Sequence, residues 1–107
     1  MRTTTIALLA LVLAVAAVAA VPASGATRGV RLVDNAFAPR TLTVRKGDTV
    51  RFRWTGRLPH NVVATGPARF RSPVRRSGTF SQRVRRAGSY RLICELHPGM
   101  GMTLRVR

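Results

Sequence analysis

Nine consecutive residues, Cys94-Glu95-Leu96-His97-Pro98-Gly99-Met100-Gly101-Met102, hold the only cysteine of the chain, one of its two histidines and two of its three methionines. The other histidine, His60, lies upstream in Leu58-Pro59-His60-Asn61-Val62. A thiolate, two imidazoles and a thioether form a soft donor set suited to copper in both of its oxidation states, as in trigonal sites of two His and one Cys with a weak axial Met. Zinc fits less well, because thioether ligation is foreign to it and His and Cys together number only three. A Cys–His nucleophile pair is weaker still. Cys94 and His97 stand three apart in one segment, and no orienting acid or carboxamide beyond Asn61 is evident for such a pair.

The elements that must position these residues read as short strands. After Ala26 no stretch shows sustained apolar residues at helical spacing. Val30, Leu32 and Val33 open a strand, and Leu42 and Val44 alternate within Thr41 to Arg45. Lys46-Gly47-Asp48 turns, and Val50, Phe52 and Trp54 alternate again. His60 to Ala64 reads as another strand, whereas Gly66 to Gly78, with two prolines and several arginines, reads as irregular. Thr79 to Arg85 and Ser89 to Cys94 resume the pattern around an Ala87-Gly88 turn, and Leu104 and Val106 alternate in the last strand. Many short, closely spaced strands predict an all-β antiparallel sandwich or barrel, with no repeat and no second domain. Cys94 then ends one strand and Leu104 lies in the next, so His97 and the methionines occupy the loop between them. His60 must reach that loop through the fold, which holds the geometry while a bound metal changes oxidation state.

Residues 1–26 have the layout of a secretory signal peptide. Arg2 supplies a positive start, Ile6 to Val21 is an apolar run of 16 residues, and the small residues Ala23, Ser24, Gly25 and Ala26 follow. The run is short for a bilayer span of about 20 residues. Cleavage after Ala26 is favoured, with Ala23 the alternative, and the expected product is an exported protein, periplasmic, cell-envelope or secreted. What remains, residues 27–107, is 81 residues long, near the lower limit for a core without staples. One cysteine excludes an internal disulfide, so a bound metal is the staple the composition allows.

The full chain carries 19 Lys and Arg against three acidic residues, for a net charge of +16. Such a balance raises the question of nucleic acid, but export argues against it. Many arginines alternate with apolar residues, as in Arg51-Phe52-Arg53-Trp54, which is the pattern of a solvated outer sheet face. The charge implies steering toward acidic redox partner proteins, with peripheral contact to anionic membrane or cell wall, by a monomer.

Pro59-His60-Asn61, Gly88-Ser89-Tyr90 and Cys94-x-x-His97-Pro98-Gly99-Met100 resemble the cupredoxins, the blue type 1 copper proteins, of plastocyanin, pseudoazurin and amicyanin type. Asn35-x-Phe37-x-Pro39 and Gly47-Asp48-Thr49-Val50 resemble their first strands, so the likeness runs from about Val30 to Val106. It implies a Greek-key antiparallel β-sandwich with one mononuclear copper. By that resemblance His60, Cys94 and His97 are in-plane ligands, and Met100 is the axial one, with Met102 as the alternative. It further implies that Asn61 hydrogen-bonds across to the Cys-bearing segment. Leu58, Pro59, Pro98 and Gly99 would frame an exposed edge of His97 for electron exchange. The interval from His60 to Cys94 is short for the family, so a strand or loop of the usual sandwich is expected to be missing. The implied function is one-electron carriage between redox partners, not enzymatic catalysis, with extracytoplasmic copper delivery or storage as the alternative.

Overall fold

The computed structural model describes Thr3 and residues 25–107. The expected leader therefore lies outside the described residues apart from Thr3, Gly25 and Ala26. Nine strands follow in order: β1 (Thr27–Val33), β2 (Ala36–Ala38), β3 (Thr41–Val44), β4 (Thr49–Trp54), β5 (Val63–Thr65), β6 (Phe70–Arg71), β7 (Gly78–Arg83), β8 (Gly88–Ile93) and β9 (Gly101–Val106). They form a four-stranded sheet, β2-β1-β4-β7, and a five-stranded sheet, β3-β9-β8-β5-β6. No helix occurs among the described residues, and the all-β sandwich expected from the strand pattern is borne out.

Alternation decides which residues meet between the sheets. In β4 the sequence Val50-Arg51-Phe52-Arg53-Trp54 buries every second residue, and β9 does the same with Met102, Leu104 and Val106, because successive side chains of a strand point to opposite faces. Val30, Leu32, Phe37, Val50 and Phe52 from one sheet and Ala64, Tyr90, Leu92, Met102 and Leu104 from the other make one continuous core. Arg31, Arg51 and Arg53 stay exposed on the outer face, as their alternation requires.

The sheets are mixed. β1 runs parallel to β4, with Val30 beside Phe52, and β3 runs parallel to β9, with Leu42 beside Leu104; the remaining pairs are antiparallel. The parallel pairs arise because the chain switches sheets between neighbours, β3 acting as the crossover between β1-β2 and β4.

Two local expectations are refined. His60 lies outside any strand, forming an isolated bridge with Arg75, and β5 begins only at Val63. The segment 66–78 holds β6 and that bridge. Its prolines, Pro67 and Pro73, cannot donate to a ladder, so pairing there is confined to short pieces. These pieces bond directly to the segment bearing His60, β6 to β5 and Arg75 to His60.

Candidate metal centre

His60 is fixed from four sides. Its backbone carbonyl accepts from the Trp54 indole N–H at 2.9 Å, and its N–H and C=O exchange two bonds of 2.9 Å with Arg75. One residue on, Asn61 is buried, and Val62 is tied to Ser72 through the serine hydroxyl, at 2.7 Å, and through a backbone bond of 2.8 Å. The fourth contact is a side chain: His60 Nε2 lies 3.0 Å from Asp34 Oδ1. His60 itself is 0% exposed. The bond to Asp34 turns its other ring nitrogen, Nδ1, toward Cys94 and His97.

Cys94 follows β8 directly, and the loop after it closes on itself. Cys94 N–H donates to the Met100 carbonyl at 3.1 Å, and Met100 N–H donates to the His97 carbonyl at 3.1 Å. Gly99 supplies the turn with φ of 83°, a left-handed conformation that costs glycine little and other residues more. The closed loop brings His97 Nδ1 to 3.5 Å from Cys94 Sγ. His60 Nδ1 lies 3.9 Å from the same sulfur and 3.0 Å from His97 Nδ1. One donor atom from each of His60, Cys94 and His97 falls within 4.8 Å of the others, so the three residues singled out by type and spacing do converge.

The two methionines are placed differently. Met100 is buried in the loop and lines the same surface cleft as Cys94 and His97. Met102 is also buried, but it stands within β9 directly opposite Leu92, packed as a core residue between the sheets.

Partners beyond the ligand set hold these side chains in place. Asn61 behaves as the resemblance implies: its Oδ1 accepts from Glu95 N–H at 2.9 Å, and its Nδ2 donates to Glu95 Oε1 at 2.8 Å. The residue after one histidine is thus laced to the residue after the cysteine. Glu95 also pairs with Arg71. Asp34 was not anticipated. It sits in the turn between β1 and β2, and besides His60 it accepts from Arg57 N–H at 3.1 Å and Leu58 N–H at 3.0 Å. Gly56 permits this, since a Cβ there would lie 2.9 Å from the Asp34 backbone nitrogen. Nothing in the sequence near His60 marks Asp34 as its partner; the one available signal was that an almost wholly basic chain spends one of three acids in that turn. A carboxylate behind a ligand histidine orients the ring and raises its basicity.

Glu95, Leu58 and Leu96 are exposed around the site, the leucines 42% and 39%, while His97 is half-buried and Pro98 and Gly99 are exposed. His97 is thus only partly covered, beside the exposed Leu96, Pro98 and Gly99 of its own loop.

All three carboxyls titrate below their usual range. Asp34 is lowered from 3.8 to about 2, chiefly by the Leu58 and Arg57 N–H bonds and then by His60. Asp48 is lowered by the Arg45 N–H bond above all, and Glu95 by the Asn61 amide and then by Arg71. A group whose folded pKa is depressed contributes stability above its unfolded pKa and loses it as pH falls through the folded one. The urea midpoint of the metal-free protein is therefore expected to fall between about pH 4.5 and pH 2. A midpoint that holds or rises over that window would refute the carboxylate bonding.

A family model described as copper binding proteins, plastocyanin/azurin family, matches residues 27–107. Chloroplastic plastocyanin of Chlamydomonas reinhardtii is 35% identical over 78 residues, covering 62% of this chain. The chain spans about half of that relative, 53% of its length. Among solved structures, a variant of reduced amicyanin is 29% identical, with a TM-score of 0.66, over 79% of this chain and 85% of its own. Copper-containing nitrite reductase from Thermus scotoductus SA-01 is 26% identical with a TM-score of 0.66, over 78% of this chain but only 22% of its own. The match to the family model over the whole sandwich, with copper's soft donors gathered in it, establishes that the chain belongs to the plastocyanin/azurin family of copper-binding proteins.

Proposed function

We propose that this protein is an exported one-electron carrier in which His60 Nδ1, Cys94 Sγ and His97 Nδ1, with Met100 as the weaker fourth ligand, would hold one type 1 copper. The observation that carries the reading is the convergence of those three donor atoms within 4.8 Å of one another, with the buried Met100 lining the cleft beside Cys94 and His97. Copper bound by these residues would supply a one-electron couple. The residues keep that exchange cheap in reorganisation. His60 is held by Trp54, Arg75 and Asp34, Cys94 by the closed loop, and the Asn61–Glu95 pair ties the two segments, so little has to move. His97 carries the electron path to the surface through its apolar frame. A cationic chain with such a frame suits acidic redox partner proteins, whose encounter it steers at a rate that falls with added salt. The cleft beside the ligands is lined by Cys94, His97 and Met100 themselves and by their neighbours in the loop and β8, and carriage, rather than the catalysis named for the nitrite reductase neighbour, is the reading proposed. The alternative, copper delivery or storage, would use the same residues for metal exchange.

The test is direct. Protein given Cu(II) is expected to develop an intense thiolate-to-copper visible band and a narrow copper hyperfine pattern, to exchange electrons with itself rapidly and to retain copper against a chelator. Slow electron exchange with ready loss of copper would favour delivery. Absence of the band would end both readings. Met100→Leu is expected to shift the band and the reduction potential, because the weak axial ligand tunes both. Met102→Leu, a volume-conserving core change, should cost less than about 1.5 kcal/mol of stability and leave the spectrum alone. The reverse outcome would transfer the axial role to Met102.

A further inference from the structure

The end of the sandwich away from the metal is built from four turns and termini bonded together. Lys46 N–H donates to the Arg107 carbonyl at 2.8 Å, Gly47 N–H to the Val84 carbonyl at 2.7 Å, Val84 N–H to the Asp48 carbonyl at 2.9 Å, and Arg107 N–H to the Val44 carbonyl at 2.9 Å. Arg83 Nε donates to the Gly47 carbonyl at 3.1 Å. These residues precede β4 and β8 and follow β3, β7 and β9, whereas His60 and Cys94 follow the far ends of β4 and β8. A six-residue strand spans about 20 Å, which separates this pole from the copper ligands.

Six exposed cations crowd the pole: Arg45, Lys46, Arg83, Arg85, Arg86 and Arg107. The anions available to them are the carboxylate of Asp48 and that of the C-terminus. Asp48 is buried and already accepts from the backbone N–H groups of Arg45 at 2.9 Å, Ala26 at 3.2 Å and Gly25 at 3.3 Å. The other two acids of the chain are engaged at the metal end, Asp34 with His60 and Glu95 with Arg71. Three of the polar cations, Arg83, Arg85 and Arg86, also rim a cleft of about 450 Å³ lined by Phe70, Val84 and Tyr90. The cluster of six cations thus faces outward with the terminal carboxylate as its one exposed counter-charge.

The bonds from Gly25 and Ala26 to Asp48 add a second, independent fact. The leader expected over residues 1–26 joins the domain at this same pole, so cleavage after Ala26 leaves the new terminal ammonium of Thr27, paired beside Thr49, at this end as a further cation. We propose that the pole is a docking surface for an anionic lipid bilayer, which seats the domain with its metal end and the His97 edge directed away from the membrane. Clustered Lys and Arg bind anionic headgroups additively, each cation strengthening the attraction within a Debye length of the surface. The arrangement serves carriage between partners, because the surface that holds the protein is not the one that exchanges electrons. This deepens the charged-surface part of the proposed function but is read by vesicle binding alone, so its failure would leave the copper reading standing.

The exported domain, residues 27–107, copper-loaded, is titrated with vesicles of mixed phosphatidylglycerol and phosphatidylcholine and with vesicles of phosphatidylcholine alone, and the ratio of the two affinities is taken. Any adsorption that does not depend on charge contributes to both, so the ratio isolates the charge attraction. The triple variant R83Q/R85Q/R86Q is expected to lower the ratio roughly a hundredfold. The variant R31Q/R51Q/R53Q removes equal charge from the outer face of the four-stranded sheet and is expected to lower it far less. An unchanged copper spectrum shows that either variant is folded. Equal losses in both variants would mean net charge without a docking pole, and a ratio of one in the parent chain would mean no anionic preference; either overturns the proposal. So would competition by inorganic phosphate stronger than by chloride at matched ionic strength, which would make the cleft a site for free phosphate.

Discussion

Cys94→Ser is expected to abolish the intense visible absorption of the copper-loaded protein while leaving the metal-free fold intact. The band requires a thiolate bonded to the metal, and Cys94 is the only cysteine. Serine offers a hard oxygen that holds its proton, and a hard donor is poorly matched to the reduced, softer ion. Two imidazole nitrogens remain, and they suffice for some Cu(II) affinity but not for a reversible couple. The fold should tolerate the change. Cys94 is buried and serine is smaller by little; His97 Nδ1 and His60 Nδ1, 3.5 and 3.9 Å from the sulfur, are too far for a hydroxyl to bond unless the loop closes slightly. A buried hydroxyl with a partner costs little, whereas an unpaired one costs about 1–3 kcal/mol. Copper addition should therefore raise the unfolding temperature of the parent chain strongly and that of the variant weakly, since metal binding to the native state alone adds its free energy to stability. An intense band surviving in Cys94→Ser would remove the cysteine from the site, and the family's ligand chemistry would not apply to this chain.

Why so much of this centre was legible, and where legibility stopped, follows from how each contact is made. Cys94, His97 and Met100 are close in sequence, so covalent connection alone brings them into one loop. His60 had no such tether, and its arrival rested on a resemblance that the structure bears out through Trp54 and Arg75. The face each strand buries was readable from period-two alternation, as in Val50, Phe52 and Trp54. Which strand lies beside which was not, because alternation carries no record of the neighbour; hence the parallel β1–β4 and β3–β9 pairs in a sandwich expected to be antiparallel. β2 is three residues with two alanines, too short and too plain to show a pattern. Segment 66–78 looked irregular because its prolines and arginines break the alternation, yet its backbone still pairs with the residues around His60. Asp34 was hidden for the most general reason. It is 26 residues from His60, and a hydrogen bond over that separation exists only once two turns have been folded together.

Phe52→Ala is expected to bring the metal-free protein close to its unfolding midpoint at room temperature, and copper to restore it. Phe52 is 0% exposed at the middle of β4, with the rings of Phe70 and Phe80 each 6.2 Å away. Truncating a buried phenylalanine costs about 3–5 kcal/mol in lost transfer energy and residual cavity, and the aromatic pairs add about 0.5–1.5 kcal/mol beyond burial. A domain this small sits at the low end of the usual 5–15 kcal/mol of total stability, so the loss consumes most of it. Val74→Ala, at a side chain 53% exposed, should by contrast stay within about 0.5 kcal/mol. Copper at about a thousandfold above its dissociation constant returns about 4 kcal/mol, close to what the truncation removes. The restored protein should carry a nearly normal visible band, because Trp54, which fixes His60, lies two residues along β4 on the same inward face and keeps its own packing. Urea unfolding of both variants, with and without copper, reads all of this. A loss below about 1 kcal/mol at Phe52 would mean that the two sheets do not share the aromatic core. A full loss that copper fails to reverse would mean that the ligands cannot assemble unless the sandwich is already closed, and the order of the two events would then run from core to metal.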